Sequence, residues 1–365
     1  MFWIGLLTVC LAVAGAGIVY IMRHALRMGF VRKIYDKNKP LGILTSFFPI
    51  VLCLPFLLVG WVAFIVALLH LAVIWMLCDL VGFIIRKLRH KEKREHYITG
   101  FAAIAMTAAV LGYGWFMAHH IFITDYRLST SKQLGQDSLR VVMIADAHLG
   151  ITLDGDEFAE QVKRIQEQDP DMVVICGDFV DDESTLEDLK KACSALGSLK
   201  TSCGVYYCYG NHDRGYYDNR DFKAADLVKC LEENNVKILQ DKSVDLGNIV
   251  IVGREDKGQK VRSSASELTK DIDRSKYIIM LDHQPNDYDA EASSGADLVL
   301  SGHTHGGHVF PAGPIGMLMG ANDRIYGKEV RDNTTFIVTS GISGWAIPFK
   351  TGTLSEIVVI DIEQK

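Results

Sequence analysis

No two of the eight cysteines stand as a CxxC pair, so a thiolate zinc site finds no support. Five of them, Cys176, Cys193, Cys203, Cys208 and Cys230, fall in the C-terminal part, and an odd number argues against a fully paired disulfide framework there. Buried free thiols are expected, with a Cys203–Cys208 bridge left open. Internal repeats and low-complexity segments are lacking. The first apolar run has neither a basic leading segment nor a twin-arginine pair, which argues against a cleaved signal peptide. Residues 126–365 also lack excess positive charge, with 26 Lys and Arg against 39 Asp and Glu. Such a domain repels phosphate backbones, so general nucleic-acid binding is not expected. An anionic substrate needs local help, which bound metal ions can give.

What the chain does have is long apolar runs, confined to residues 1–125. A bilayer core takes about 20 apolar residues as a helix. Residues 2–22 form one such run. Residues 41–85 are about twice that length with almost no charge and read as two helices, 41–60 and 62–85, joined by a turn near Gly60. Residues 99–123 make a fourth. The basic residues Arg23, Arg27, Arg32, Lys33, Lys37 and Lys39 follow the first run, and Arg86, Lys87, Arg89, Lys91, Lys93 and Arg94 follow the third. Basic loops stay cytoplasmic. Four spans then place both termini and the C-terminal domain outside a cell membrane crossed several times, whereas three would place the domain inside. His70 and Asp79 lie within the third run, and ionisable groups at that depth point to function by default. They motivate a competing reading, a membrane sensor or transporter with a regulatory soluble domain.

Beyond the polar linker 126–137, residues 138–365 alternate short apolar β-branched runs with amphipathic stretches. Strands are expected at 140–145, 171–176, 204–209, 248–252, 277–281, 297–300, 335–339 and 357–362, and helices at 156–168, 186–199 and 222–234. That alternation indicates an α/β domain with largely buried sheets.

The polar chemistry follows the strand ends, where α/β sheets collect ligands. Asp146-Ala147-His148, Gly177-Asp178-Phe179-Val180-Asp181, Gly210-Asn211-His212-Asp213, His283 and Gly302-His303-Thr304-His305 each follow one strand. Any one of them alone is a common turn, cap or core histidine. Five in this order, each behind a strand, are not accounted for by turns. Carboxylate, imidazole and amide groups without thiolate suit Mn²⁺, Fe²⁺ or Zn²⁺. Two such ions about 3.5–4 Å apart need a shared carboxylate, and they activate a bridging water as hydroxide toward phosphorus.

The order D-x-H, G-D-x-x-D, G-N-H-D, H, G-H-x-H resembles that of the calcineurin-like metallophosphoesterases over about residues 138–363. Gly302-His303-Thr304-His305-Gly306-Gly307 and the closing 339–357 segment resemble the bacterial membrane-associated YkuE/YaeI branch. The resemblance implies two packed mixed sheets flanked by helices, an αββα sandwich, and two divalent metal ions. It implies that Asp146, His148 and His305 hold the first ion, that Asp178 bridges, and that Asn211, His283 and His303 hold the second. It also implies that His212 contacts the phosphate and protonates the leaving oxygen; that role needs a cationic imidazole, which a nearby carboxylate favours, and Asp181 is the candidate catalytic partner with Asp213 as the alternative. Asn211 and His212 then touch substrate. His308 stands where this branch commonly has glutamine, so it is a candidate pocket residue. Gly253-Arg254-Glu255-Asp256 departs from the family pattern, and Cys176 reads as packed behind the metals.

The implied activity is hydrolysis of a phosphodiester or pyrophosphate, with phosphomonoester or phosphoprotein hydrolysis as the alternative in the same chemistry. Placement at the outer membrane face suggests a lipid-linked or envelope phosphate. Tyr206, Tyr207, Tyr216, Tyr217, Trp345 and Phe349 are candidate headgroup or sugar contacts.

Overall fold

In the computed structural model, described over residues 2–90, 97–216 and 220–365, the chain divides into two compact units, residues 1–113 and 114–365. Lys91, Lys93, Arg94 and Tyr217 lie outside the described residues, as does the side chain of Cys10. The seven described cysteines are free thiols.

The first unit is helical: α1 Phe2–Ala25, α2 Gly29–Lys37, α3 Lys39–Thr45, α4 Phe48–Val51, a 3₁₀ turn Leu54–Leu58, α5 Trp61–Leu88, and α6 Thr99–His119, which ends in the second unit. Among the described residues, α5 and α6 are long and apolar enough to cross a membrane. The pair Leu11–Ala25 and Gly29–Lys37, bent by 82°, makes a third span if counted as one.

The expected second span, 41–60, is corrected here. It breaks into α3, α4 and the 3₁₀ turn. Pro49 and Pro55 sit in the first turn of the two later pieces, where a missing N–H is tolerated but from which no helix continues backward. The fourth run is also shorter than 99–123, because Ile121 already begins a strand.

Asp79 joins the helices of this unit. Its carboxylate accepts hydrogen bonds from Tyr20 (2.8 Å), Tyr97 (2.6 Å) and Thr99 (2.8 Å), with His24 at 3.6 Å. His70 Nδ1 lies 2.8 Å from the Val66 carbonyl, one turn back on its own helix.

The second unit contains two six-stranded sheets. The first has the order β1-β12-β2-β3-β4-β5, from Ile121–Thr130, Ser355–Gln364, Ser138–Ile144, Met172–Cys176, Gly204–Cys208 and Val236–Ile238. The second has the order β10-β11-β9-β8-β7-β6, from Gly327–Arg331, Thr334–Val338, Leu298–Ser301, Tyr277–Leu281, Ile249–Gly253 and Lys242–Asp245. Both are mixed.

The strand interiors are buried on both faces, which is why they read as continuous apolar runs. Val141, Met143, Val174, Cys176, Ile279, Leu300, Ile337 and Val358 form the layer between the sheets. The outer face of the first sheet is covered by α7 Gly155–Gln166, α8 Leu186–Gly197 and α9 Ala224–Glu233. That of the second is covered by α10 Ala265–Thr269 and α11 Tyr288–Ser293. The architecture is a helix–sheet–sheet–helix sandwich.

One boundary differs from the sequence reading. The first part of the expected linker 126–137, up to Thr130, is strand: β1 pairs in parallel with β12 from Ile121–Ser355 to Thr130–Gln364. From Thr124 onward its side chains alternate between half-buried and exposed. An edge strand with one wet face carries polar residues at every second position, so it passes for a linker.

Candidate metal centre

Five strand ends meet at one site. Asp146 and His148 follow β2, Asp178 and Asp181 follow β3, and Asn211 and His212 follow β4. His283 follows β8 and His303 and His305 follow β9, so the two sheets contribute jointly. The turns are tight. Asp146, His148, Asp178, His303 and His305 all have positive φ, between 36° and 69°. That region is uncommon for residues other than glycine and persists where surrounding structure over-determines it, typically at functional sites. The glycine before Asp178 is forced as well: a Cβ on Gly177 would lie 2.6 Å from His283 Nδ1.

The donors form three groups, each with ligand atoms within 4.8 Å of one another: Asp146, His148 and His305; Asp178, His283 and His303; and His148, Asp181 and His212. The first group contains the three residues expected around the first ion, and the second joins His283 and His303 to Asp178, the expected bridge, without Asn211. His148 Nε2 lies 3.1 Å from His305 Nε2 and 3.6 Å from Asp178 Oδ2. Asp178 Oδ2 is 3.1 Å from His283 Nε2, so this carboxylate faces both groups. Asn211 Oδ1 lies 2.8 Å from His303 Nδ1 and 3.2 Å from His283 Nε2.

Imidazole nitrogens and carboxylates converging without intervening donors are the chemistry of a cation site, so the residues fit a divalent metal. The ring of His283 is oriented by its Nδ1, 2.8 Å from the Cys176 carbonyl, which leaves Nε2 for the site. A ligand imidazole is ordinarily fixed by such a partner on its other nitrogen.

Burial pushes the Asp146 carboxyl up to about 6. Burial acts the same way on Asp178, but the neighbouring imidazoles, His283 foremost, outweigh it and hold that carboxyl well below its usual range. Burial, helped by the charge of His283, lowers His303 to about 3, which favours the neutral imidazole a metal requires.

His212 is placed differently. Its Nδ1 is 3.0 Å from Asp181 Oδ1. Burial opposes its charge, yet the bond to Asp181 and the charges of Asp178 and Asp181 raise its pKa above the ordinary value. Of the two expected partners, Asp181 is the one in contact. Asp213 points away, accepting from the backbone N–H of Asp178 (2.9 Å), Phe179 (2.8 Å) and Gly210 (2.6 Å). Tyr216 and Trp345 flank the His212 ring edge-on at 4.9 and 5.6 Å, and the Tyr216 hydroxyl accepts from Asn211 Nδ2. Both aromatics are exposed, whereas Tyr206, Tyr207 and Phe349 are core residues.

His308 stacks on His305 with ring centroids 5.3 Å apart. Arg254 is buried against Asp282, Asp287 and Glu291 and so braces the residue before His283. Lys350 is missing from the sequence reading. It is fully buried, with Nζ donating to the carbonyls of Ser340 (2.8 Å), Gly341 (3.4 Å) and Leu354 (3.1 Å). The turn it holds packs on Asp146, since a Cβ on Gly341 would lie 2.8 Å from the Asp146 Cβ. A lone lysine in a loop carries no sequence signal for such a role.

A double-sheet α/β sandwich with acid-and-imidazole clusters at its strand ends is a scaffold suited to metal-dependent hydrolysis. Residues 139–307 match the calcineurin-like phosphoesterase family. The chain is 30% identical over 318 residues to an uncharacterized metallophosphoesterase of Helicobacter pylori, covering 81% of this chain and 83% of that one. It is 27% identical over 286 residues to the uncharacterized metallophosphoesterase YkuE of Bacillus subtilis, covering 75% and 98%. It is 29% identical over 282 residues to a Danio rerio transmembrane protein with metallophosphoesterase domain, covering 72% of this chain and 62% of that one. The chain belongs to the calcineurin-like metallophosphoesterases, metal-dependent phosphoester hydrolases.

Proposed function

We propose that this protein is a membrane-held phosphohydrolase that cleaves a phosphodiester or pyrophosphate of a lipid-linked or envelope substrate at the outer membrane face. The observation that carries the chemistry is Asp178, which faces His148 and His283 from opposite ligand groups. Asp146, His148 and His305 would hold one divalent ion, Asn211, His283 and His303 the other, and Asp178 would be shared. When bound, such a pair offsets phosphoryl charge and lowers the pKa of water. His212, whose proton affinity is raised by its contact with Asp181, donates a proton to the leaving oxygen. Exposed Tyr216 and Trp345 flank that proton donor and give a second ester substituent an apolar seat, which favours diesters over monoesters.

The outward placement is supported by helix direction. Gly17 packs on Ala72, and Tyr20 and His24 face Asp79, so α1 and α5 run parallel. Their last turns carry Arg23, His24, Arg86 and Lys87. Parallel neighbours require the chain between them to return, broken helix or not. α6 starts at this basic end, beside Asp79 and Trp75, and runs away from it. With the basic end cytoplasmic, the catalytic unit leaves on the other side.

Purified protein loaded with Mn²⁺ or Zn²⁺ should cleave bis-p-nitrophenyl phosphate faster than p-nitrophenyl phosphate, and Asp178→Asn or His303→Ala should abolish cleavage. Inactivity on both esters defeats the hydrolase reading, and a monoester preference defeats the diester reading. A C-terminal alkaline phosphatase fusion should be active, and a silent, stably expressed fusion refutes the outward orientation.

A further inference from the structure

Residues 309–321 contain no charged side chain. They include α12, Ala312–Leu318, and expose Phe310, Ile315, Met317, Leu318 and Met319, with Leu318 88% exposed and Met319 69% exposed. A contiguous apolar surface of this kind is unusual on a soluble face and marks an interaction site.

Its position identifies the occupant. The segment begins at His308, which stacks on His305 of the metal centre. Gly352 donates its N–H to the His308 carbonyl (2.9 Å), and Phe310 donates to Thr351 Oγ1 (3.3 Å). The neighbouring Lys350 N–H donates to the carbonyl of Gly114 in α6 (2.8 Å). A Cβ on Gly114 would lie 2.8 Å from Thr351 Cγ2. The loop bearing the apolar segment is therefore locked onto the last turns of a membrane-length helix. On that helix Trp115 and Phe116 are exposed beside Gly114. Exposed aromatics at the end of an apolar helix sit at the headgroup level of a bilayer. The level of the interface and the level of the loop thus coincide.

We infer that the 310–319 segment is a lipid-docking element that inserts its apolar side chains into the leaflet from which α6 emerges. Amphipathic surface elements bind bilayers in this way, in proportion to the apolar area they bury. Docking brings the metal centre against the membrane surface, so that a phosphoester is presented from the lipid phase. This last step rests on the hydrolase reading above, whereas the docking itself does not.

The test uses the full chain in lipid nanodiscs, with p-benzoylphenylalanine substituted at Leu318 or at Lys237. Lys237 lies in β5, at the opposite edge of the sheet from β1, which follows α6. After irradiation, mass spectrometry should find lipid adducts at position 318 and none at 237. Absence of adducts at 318, or equal yield at both positions, overturns the docking. In parallel, Leu318→Asp with Met319→Asp should lower the rate on a bilayer-embedded phosphatidyl-p-nitrophenol by at least about tenfold and leave bis-p-nitrophenyl phosphate cleavage within about twofold. An equal loss on both substrates, or none on the lipid, overturns the presentation role. If the unsubstituted protein cleaves neither ester, the hydrolase reading and with it the presentation role fail, while the crosslinks still decide the docking.

Discussion

Asp181 holds His212 through a 3.0 Å contact between Oδ1 and Nδ1, and its other oxygen lies 2.8 Å from Nδ1 of His148. One carboxylate thus orients both the candidate proton donor and a candidate metal ligand. Groups that orient a metal ligand typically affect metal affinity or activity by about 10–100-fold. Asp181→Asn is expected to lower kcat on a diester by about that factor and to weaken metal binding. His212→Ala is expected to lower kcat while retaining both ions. Steady-state kinetics beside calorimetric metal titration separates the two, and unaltered metal affinity in Asp181→Asn contradicts the dual role.

Asp213 carries a different expectation, because it touches backbone rather than imidazole. It accepts from Asp178, Phe179, Val180 and Gly210 N–H groups. Leaving buried donors unpaired costs about 1–3 kcal/mol each. Asp213→Ala should lower the thermal midpoint of the metal-free protein measurably. A variant that is inactive yet as stable as the parent counts against this scaffold role.

The buried Lys350 Nζ lies within hydrogen-bond distance of three carbonyls, and burial pushes its pKa down to about 7. Lys350→Met keeps the volume and removes the donors, so destabilisation of about 1–3 kcal/mol is expected. Because the held turn packs on Asp146, affinity for the first ion should fall more than for the second. Two-site metal titration reads this directly.

Within the membrane unit, Asp79→Ala removes the acceptor shared by Tyr20, Tyr97 and Thr99. It should lower the unfolding temperature in detergent. Phosphatase activity measured below that transition should be unchanged. If Asp79→Ala is as stable as the parent but loses a cellular phenotype, a sensing or transport role gains support.

Much of the catalytic unit was legible because its signals are local. Buried parallel strands read as apolar β-branched runs, and the turns after them carry residues that packing alone does not call for. Where the reading failed, the cause was also physical. β1 has a wet face and so looks like a linker. The 41–60 run is hydrophobic throughout, and hydropathy does not register that Pro49 and Pro55 divide it.

Composition and order along the chain thus determined the apolar first part, the strand-end clusters and the set of metal-type donors, since burial pattern and donor chemistry are properties of residue type. Which residues act together was decided only by the tertiary structure. It placed Asp181 rather than Asp213 on His212, buried Lys350 behind Asp146, tied Asp79 into the helix packing, and set an uncharged loop beside the end of a membrane-length helix. Each of these depends on contacts between residues distant in sequence, and those exist only once the strands and helices that carry them have packed.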